Sequence, residues 1–203
     1  MNIPQPLRCF ATTITLLAAL TAMVASGEEK SAADSKIPRI EFGGLPLDTA
    51  IESLAQQMDI NFSLSPSIPS TPMTKTWEDV SARTALTNLL AEHKLFLIEN
   101  PATSVALIST TNRIATPVDP KWIAADTNRP IPLIHFSSIP IETALINLAR
   151  QSGTPVTVDV RKDTTMSLRW KNLKPRQAIA AVCETHNLLL TTNTTGGIRI
   201  APK

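Results

Sequence analysis

Tyrosine is absent from the 203 residues, and aromatic side chains make up only 4% of them. That leaves little material for the stacked platforms that hold bases or sugars. Neither sign of charge dominates: 19 lysines and arginines stand against 17 acids, for a net charge of +2. A near-neutral surface gives no electrostatic pull toward nucleic acid or an anionic membrane. Only two cysteines occur, Cys9 and Cys183, so no internal disulfide framework is expected. Beyond residue 27 no apolar run is long enough to cross a bilayer.

What is present begins with a leader. Arg8 is the only charge ahead of a mainly apolar stretch, Cys9–Ala25, and small residues follow at Ala25-Ser26-Gly27 before Glu28-Glu29-Lys30. This is the order of a secretory signal peptide over residues 1–27, with cleavage near Ser26 or Gly27. The run is short for a membrane span, which favours cleavage over an uncleaved anchor. Cys9 sits ahead of the apolar core, too early for a lipoprotein acceptor. Cleavage removes one charge, Arg8, and leaves Cys183 as the only cysteine, able to form a disulfide only with another chain. Its helical setting makes it a small buried hydrophobe instead.

Residues 28–36 are polar and small and read as a flexible lead-in. From Ile37 the hydrophobic period changes repeatedly. Ile40 and Phe42 alternate with Arg39 and Glu41 as in a half-buried strand. Leu47, Ile51, Leu54, Ala55 and Met58 return to one face at helical spacing. Strands are expected at Ile60–Leu64 and Met73–Trp77, separated by the proline- and serine-rich loop Ser65–Pro72. Ser81 is placed to cap a second helix carrying Ala85, Leu86, Leu89, Leu90 and His93. Strands at Leu95–Glu99 and Val105–Ser109 close this unit.

The order then recurs. Leu133–Phe136 reads as a strand, and Ile141, Leu145, Leu148 and Ala149 line a helix ended by Gly153. Val156 and Val158 alternate, Met166–Trp170 follows, and Pro175 opens a helix with Ala178, Ile179, Val182, Cys183 and His186 on one side. Leu188–Leu190 and Ile198–Ile200 finish the chain across the turn Thr194–Gly197. Phe42-Gly-Gly-Leu-Pro-Leu-Asp-Thr-Ala50 matches Phe136-Ser-Ser-Ile-Pro-Ile-Glu-Thr-Ala144 at an offset of 94, and Trp77 matches Trp170 at 93. Pro46 and Pro140 are expected at the first helical position, with Asp48 and Glu142 at the positive end of the helix dipole. Leu54/Leu148, Arg83/Arg176, His93/His186 and Leu95/Leu188 keep the same register. The expected class is α+β: two repeated small βαββαββ domains, 37–110 and 131–203, each with two helices against a small mixed sheet. Residues 111–130 carry three prolines and read as a linker, in which the apolar pair Trp122-Ile123 is expected to dock on one unit.

Pro46-Leu-Asp-Thr-Ala-Ile-Glu-Ser-Leu-Ala-Gln-Gln57 with Thr84-Ala-Leu-Thr-Asn-Leu-Leu90 resembles the secretin and TonB short N-terminal (STN) domain. So does Pro140-Ile-Glu-Thr-Ala-Leu-Ile-Asn-Leu-Ala-Arg-Gln151 with Gln177-Ala-Ile. The resemblance covers both units. It implies an exported bacterial protein, in the periplasm or associated with the outer membrane, that docks other envelope proteins and is not an enzyme. An outer-membrane secretin or a TonB-system component is the implied partner class. The chain is expected to lack the pore or barrel of those proteins, since nothing of that kind follows the second unit. Neither a cofactor nor nucleic acid is implied.

Candidate chemistry is sparse. His93 and His186 end equivalent helices, where a histidine suits the terminal carbonyls and the dipole, and neither has partners at metal-ligand spacing. His135 reads as a solvated strand position. Cys183 and His186 are three apart and could form a thiol–imidazole pair, the basis of an alternative reading as a periplasmic hydrolase. The first unit has Leu90 where the second has Cys183, which favours packing over catalysis. Gly43-Gly44 reads as a turn, since no Lys-Ser/Thr follows it as in a phosphate loop. Trp77 and Trp170 are expected to pack under their following helices. An RNA-binding KH-like unit is excluded by the missing GXXG loop and the neutral charge. Self-assembly through open sheet edges is the remaining alternative.

Overall fold

The computed structural model describes residues 35–161, 163–193 and 196–203. The expected leader, 1–27, and nearly all of the expected lead-in lie outside them, as do Thr194 and Thr195 of the turn expected at Thr194–Gly197. The fold is mixed α/β, as expected for the α+β class, with five helices and four small sheets among the described residues. In order these are β1 (Lys36–Pro46), α1 (Leu47–Gln57), β2 (Phe62–Leu64), β3 (Pro72–Ser81), α2 (Ala82–Glu92), β4 (Phe96–Asn100) and β5 (Val105–Ser109). Then come α3 (Pro120–Ala124), β6 (Ile131–Pro140), α4 (Ile141–Ser152), β7 (Val156–Val158), β8 (Thr165–Leu173), α5 (Pro175–Thr185), β9 (Leu188–Thr192) and β10 (Ile198–Pro202).

The expectation of one small sheet per unit needs correction. β1 and β3 form a separate antiparallel ribbon, as do β6 and β8, beside three-stranded sheets ordered β2-β5-β4 and β7-β10-β9. Within each three-stranded sheet the central strand pairs parallel on one side and antiparallel on the other. The ribbons are longer than the alternation suggested because β1 and β6 run on to the helix start. Pro46 and Pro140 are therefore cap residues with extended ψ of 141° and 135°, not first helical residues. The physical reason lies one residue later. The amides of Leu47 and Ile141 donate to Thr71 O (2.9 Å) and Thr164 O (3.0 Å), bonds that a proline in the first helical position could not make.

Gly43-Gly44 is likewise not a turn. It lies in a β-bulge, where the β1–β3 register shifts between Phe42 and Leu45. Gly44 has φ of 67° and donates its N–H to the Thr74 hydroxyl at 3.1 Å. Ser138 takes the same left-handed conformation (φ 51°) and donates to the Ser167 hydroxyl at 2.9 Å. The opposing strand thus supplies the acceptor that the bulge removes from the ladder.

Ser81 caps α2 by accepting from the Thr84 amide at 3.1 Å, and Gly153 ends α4 with φ of 64°. Leu47, Ala50, Ile51 and Leu54 of α1 pack with Ala85, Leu86 and Leu89 of α2 over Ile108 of β5. Ala144, Leu145 and Leu148 of α4 pack with Ala178, Ile179 and Val182 of α5 over Ile198 and Ile200. Each such leucine or isoleucine contributes about 1.5–3 kcal/mol by leaving water.

Helix α5 is buried on more than its inner stripe. Ala180, Ala181 and Glu184 are covered as well as Ala178, Ile179, Val182 and Cys183. Gln177 Nε2 donates to Ala102 O at 3.2 Å, and Asn100 Nδ2 donates to both Glu184 oxygens at 3.1 and 2.9 Å. The outer side of α5 therefore lies against the β4–β5 turn. On α2 the corresponding residues Thr84, Thr87, Asn88 and Ala91 face solvent.

Residues 111–130 are part of the packed structure. Val118 and Ile123 join the core of the second stretch, and Trp122 lies partly buried with the Arg176 guanidinium 5.3 Å from its ring centroid. Asp126 is almost fully buried and accepts from the Arg176 amide at 2.8 Å, in the first turn of α5. Burial alone would raise its pKa, but amide donors from Arg176 and Asn128 and the Arg176 charge outweigh it and hold the carboxyl below its usual range.

Candidate functional site

A cleft of about 710 Å³ opens between the two halves of the chain. One wall is α1 with β2 and the loop after it; the other is β6, β8 and the end of α5. Asp48 and Glu52 are one helical turn apart on the first wall and share a face. His135 and Arg169, cross-strand partners on β6 and β8, stand on the second.

One end of the cleft is sealed by contacts from side chain to backbone. The Asn61 amide donates to Lys171 O at 2.9 Å and accepts from Lys171 N at 2.7 Å. It thereby occupies the place of a strand residue beside β8. Trp170 Nε1 donates to Phe62 O at 2.7 Å, and Lys171 Nζ is paired with Asp59 Oδ1 at 2.5 Å.

Beyond that end two strand edges line the opening. Asn61 O accepts from Ala106 N, and Ser65 N donates to Ile108 O. In this parallel register Ser63 turns its N–H and C=O to β5, so Phe62 and Leu64 turn theirs away. On β8, Lys171 directs both backbone groups away from β6 to Asn61. Alternation then sends those of Arg169 and Ser167 the same way.

Glu52 is half-buried, and its pKa is raised, by burial first and by the Asp48 charge second. No hydrogen bond or ion pair reaches Glu52 among the described residues. Asp48 accepts from the Ser70 hydroxyl at 3.1 Å and the Thr49 amide at 2.8 Å. The sequence offered one sign of this wall, the i, i+4 pair Asp48 and Glu52. It held no sign of the strand edges facing it, which come from residues about a hundred positions apart.

The histidines and cysteine fall as follows. His93 and His186 are the C-cap residues of α2 and α5. His186 is among the residues that line the cleft, and burial lowers its pKa to about 4, against the pull of the helix dipole. His135 is exposed. Cys183 is fully buried, and burial followed by the Glu184 charge pushes its thiol up, away from the reactive thiolate. No hydrogen bond joins Cys183 to His186. A thiol reagent is expected to leave Cys183 unlabelled in the native protein and to label it fully in denaturant; rapid native labelling, followed by mass spectrometry, would contradict this burial. No group of three or more histidine, cysteine, aspartate or glutamate side chains among the described residues could hold a metal ion.

Trp77 and Trp170 differ more than their matching positions suggest. Trp77 stays half-buried, edge-on to Phe42 with ring centroids 5.9 Å apart, whereas Trp170 is fully buried. No helix among the described residues is long and apolar enough to cross a membrane. No protein-family model matches the chain, and no curated protein matches it in sequence.

Proposed function

We propose that this chain is a non-catalytic docking module built from two tandem STN-like βαββαββ units, 37–110 and 131–203. In this reading it is exported to the periplasm or the outer-membrane face of a bacterial envelope. There it binds an envelope protein, with an outer-membrane secretin or a TonB-system component as the partner class.

The repeat is supported by conformation as well as by sequence. Left-handed backbone recurs at Gly44 and Ser138, Asp59 and Gly153, Asp79 and Asn172, and Lys94 and Asn187, at offsets of 93 or 94. Asparagine, aspartate and glycine tolerate that region best, so Lys94 and Ser138 keep it because the surrounding fold requires it.

The observation that carries the docking reading is the open edge that each three-stranded sheet leaves on its short parallel strand. β2 and β7 are both outermost. On β7, Pro155 O and Asp159 N bond to β10, so Val156 and Val158 turn their backbone groups outward. Unpaired strand edges are ready sites for adding a partner strand.

The test is site-specific photocrosslinking in the native envelope, with the crosslinker at Leu64, at Val158 and, as a control, at Thr87 on the solvent face of α2. The same envelope protein captured from an edge position and not from Thr87 supports docking. Equal capture from all three, or from none, overturns it.

A further inference from the structure

We propose that the cleft between β2 and β8 takes one extended peptide segment as an added strand bonded on both sides, with a lysine or arginine of that segment seated on the Asp48–Glu52 wall of α1. This rests on the docking reading and gives it a place and a partner chemistry: a partner protein's extended segment carrying a single cation.

The backbone groups come first. The N–H of Phe62 and both backbone groups of Leu64 face the cleft from β2; those of Arg169 and Ser167 face it from β8. Phe62 O is already taken by the Trp170 indole, and Lys171 by the Asn61 amide. The Asn61 side chain thus shows what completes this edge of β8: a group that donates and accepts at one strand position. It fills one position and leaves the next two along β8 open. A strand is the element that supplies such pairs every second residue, and an inserted one would find donors and acceptors on either side. Main-chain bonding gives such additions their affinity, and the flanking side chains give them specificity.

The side chains set the charge. Glu52 and Asp48 are like charges on one helix face, Glu52 is half withdrawn from water, and no cation pairs with either among the described residues. A lysine or arginine from the inserted segment supplies that partner and relieves the repulsion. Arg169 and His135 on the opposite wall disfavour a long run of cations. The segment that fits has one basic residue among neutral or apolar ones.

The test selects peptides from a displayed random ten-residue library against the full chain. It then follows the best peptide by fluorescence anisotropy and by hydrogen exchange. In the free protein the amides of Leu64, Ser167 and Arg169 are expected to exchange rapidly and in the bound protein slowly. Selected peptides are expected to share one lysine or arginine, and Glu52→Lys should weaken them tenfold or more. A glutamate placed at that peptide position should recover much of the loss against Glu52→Lys, which a merely misfolded variant would not allow. N-methylating alternate peptide amides in either register should weaken binding, because each register blocks a different edge.

Peptides that bind without protecting these amides, or that ignore Glu52→Lys, overturn the cleft while leaving docking elsewhere intact. Slow exchange at Leu64 and Arg169 in the free protein also overturns it. That result would mean a second copy already fills the cleft if it deepens with protein concentration, and the chain's own lead-in if it does not. Failure to select any peptide overturns the cleft proposal alone, because the crosslinking at Val158 reads docking independently.

Discussion

Trp170→Ala is expected to cost about 3–5 kcal/mol of folding free energy, the range for emptying a buried aromatic site, and to weaken both halves of the protein together. Trp170 has no exposed surface and belongs to the core beneath α4 and α5, opposite Ile134 on β6. Its indole N–H is also a direct bond from the second stretch to the first, at Phe62 O. Alanine removes the packing and the donor; phenylalanine removes the donor and keeps most of the ring. Trp170→Phe should therefore cost less, about 1–3 kcal/mol for the unsatisfied acceptor and the lost volume. Urea unfolding gives the totals, and native-state hydrogen exchange shows where they fall. In Trp170→Ala, exchange should quicken in β5 of the first stretch as well as in β8. A loss confined to 131–203, or one below about 1 kcal/mol, would show that the halves do not share this contact.

The fate of the two tryptophans shows what was legible in the chain. Both end an alternating pattern ahead of a helix, and at that level they are equivalent. Local rules also place Ser81 as a cap, Gly153 as a left-handed stop and Val156 and Val158 on a strand, because each depends on residues within one turn or one strand. The rest depends on residues far apart in sequence. Asn100 meets Glu184, Asn61 meets Lys171 and Asp126 reaches the start of α5, at separations of 84, 110 and 50 residues. Burial of the outer side of α5 follows from those contacts. Gln177, Ala181 and Glu184 read as a solvated helix face, like Thr84, Asn88 and Ala91 on α2, until the first stretch covers them. The bulges at Gly44 and Ser138 were hidden differently: two glycines suggest a turn, while two serines at the matching place suggest nothing. Their shared geometry is set by Thr74 and Ser167 on the opposite strands.

His186 should make the protein less stable as the pH falls from about 6.5 to about 4, and removing it should flatten that slope. Burial lowers its pKa to about 4 in the folded state, while an unfolded histidine titrates near 6.5. Above about 6.5 both states are neutral and the residue contributes no pH dependence. Between the two values the unfolded chain binds a proton that the folded chain does not, so stability rises with pH there. Below about 4 both bind it, and the slope ends. At about 1.4 kcal/mol per pH unit the full loss is about 3 kcal/mol. Glu184 acts in the opposite sense: burial raises its pKa despite donors from Asn100 and Val118, so stability from this group rises as pH falls. Glu52 shares that direction. Both partly mask the histidine in the wild-type curve, and for that reason the difference between His186→Asn and wild type is the quantity to read. Asparagine keeps a polar side chain at the C-cap of α5 and cannot titrate. Urea midpoints measured at intervals from pH 7.5 to 4 should converge as the pH falls, and then cross, if His186→Asn starts less stable, or diverge in the variant's favour if it starts level. Parallel curves would mean that His186 titrates alike in both states, and the burial argument for it would fail.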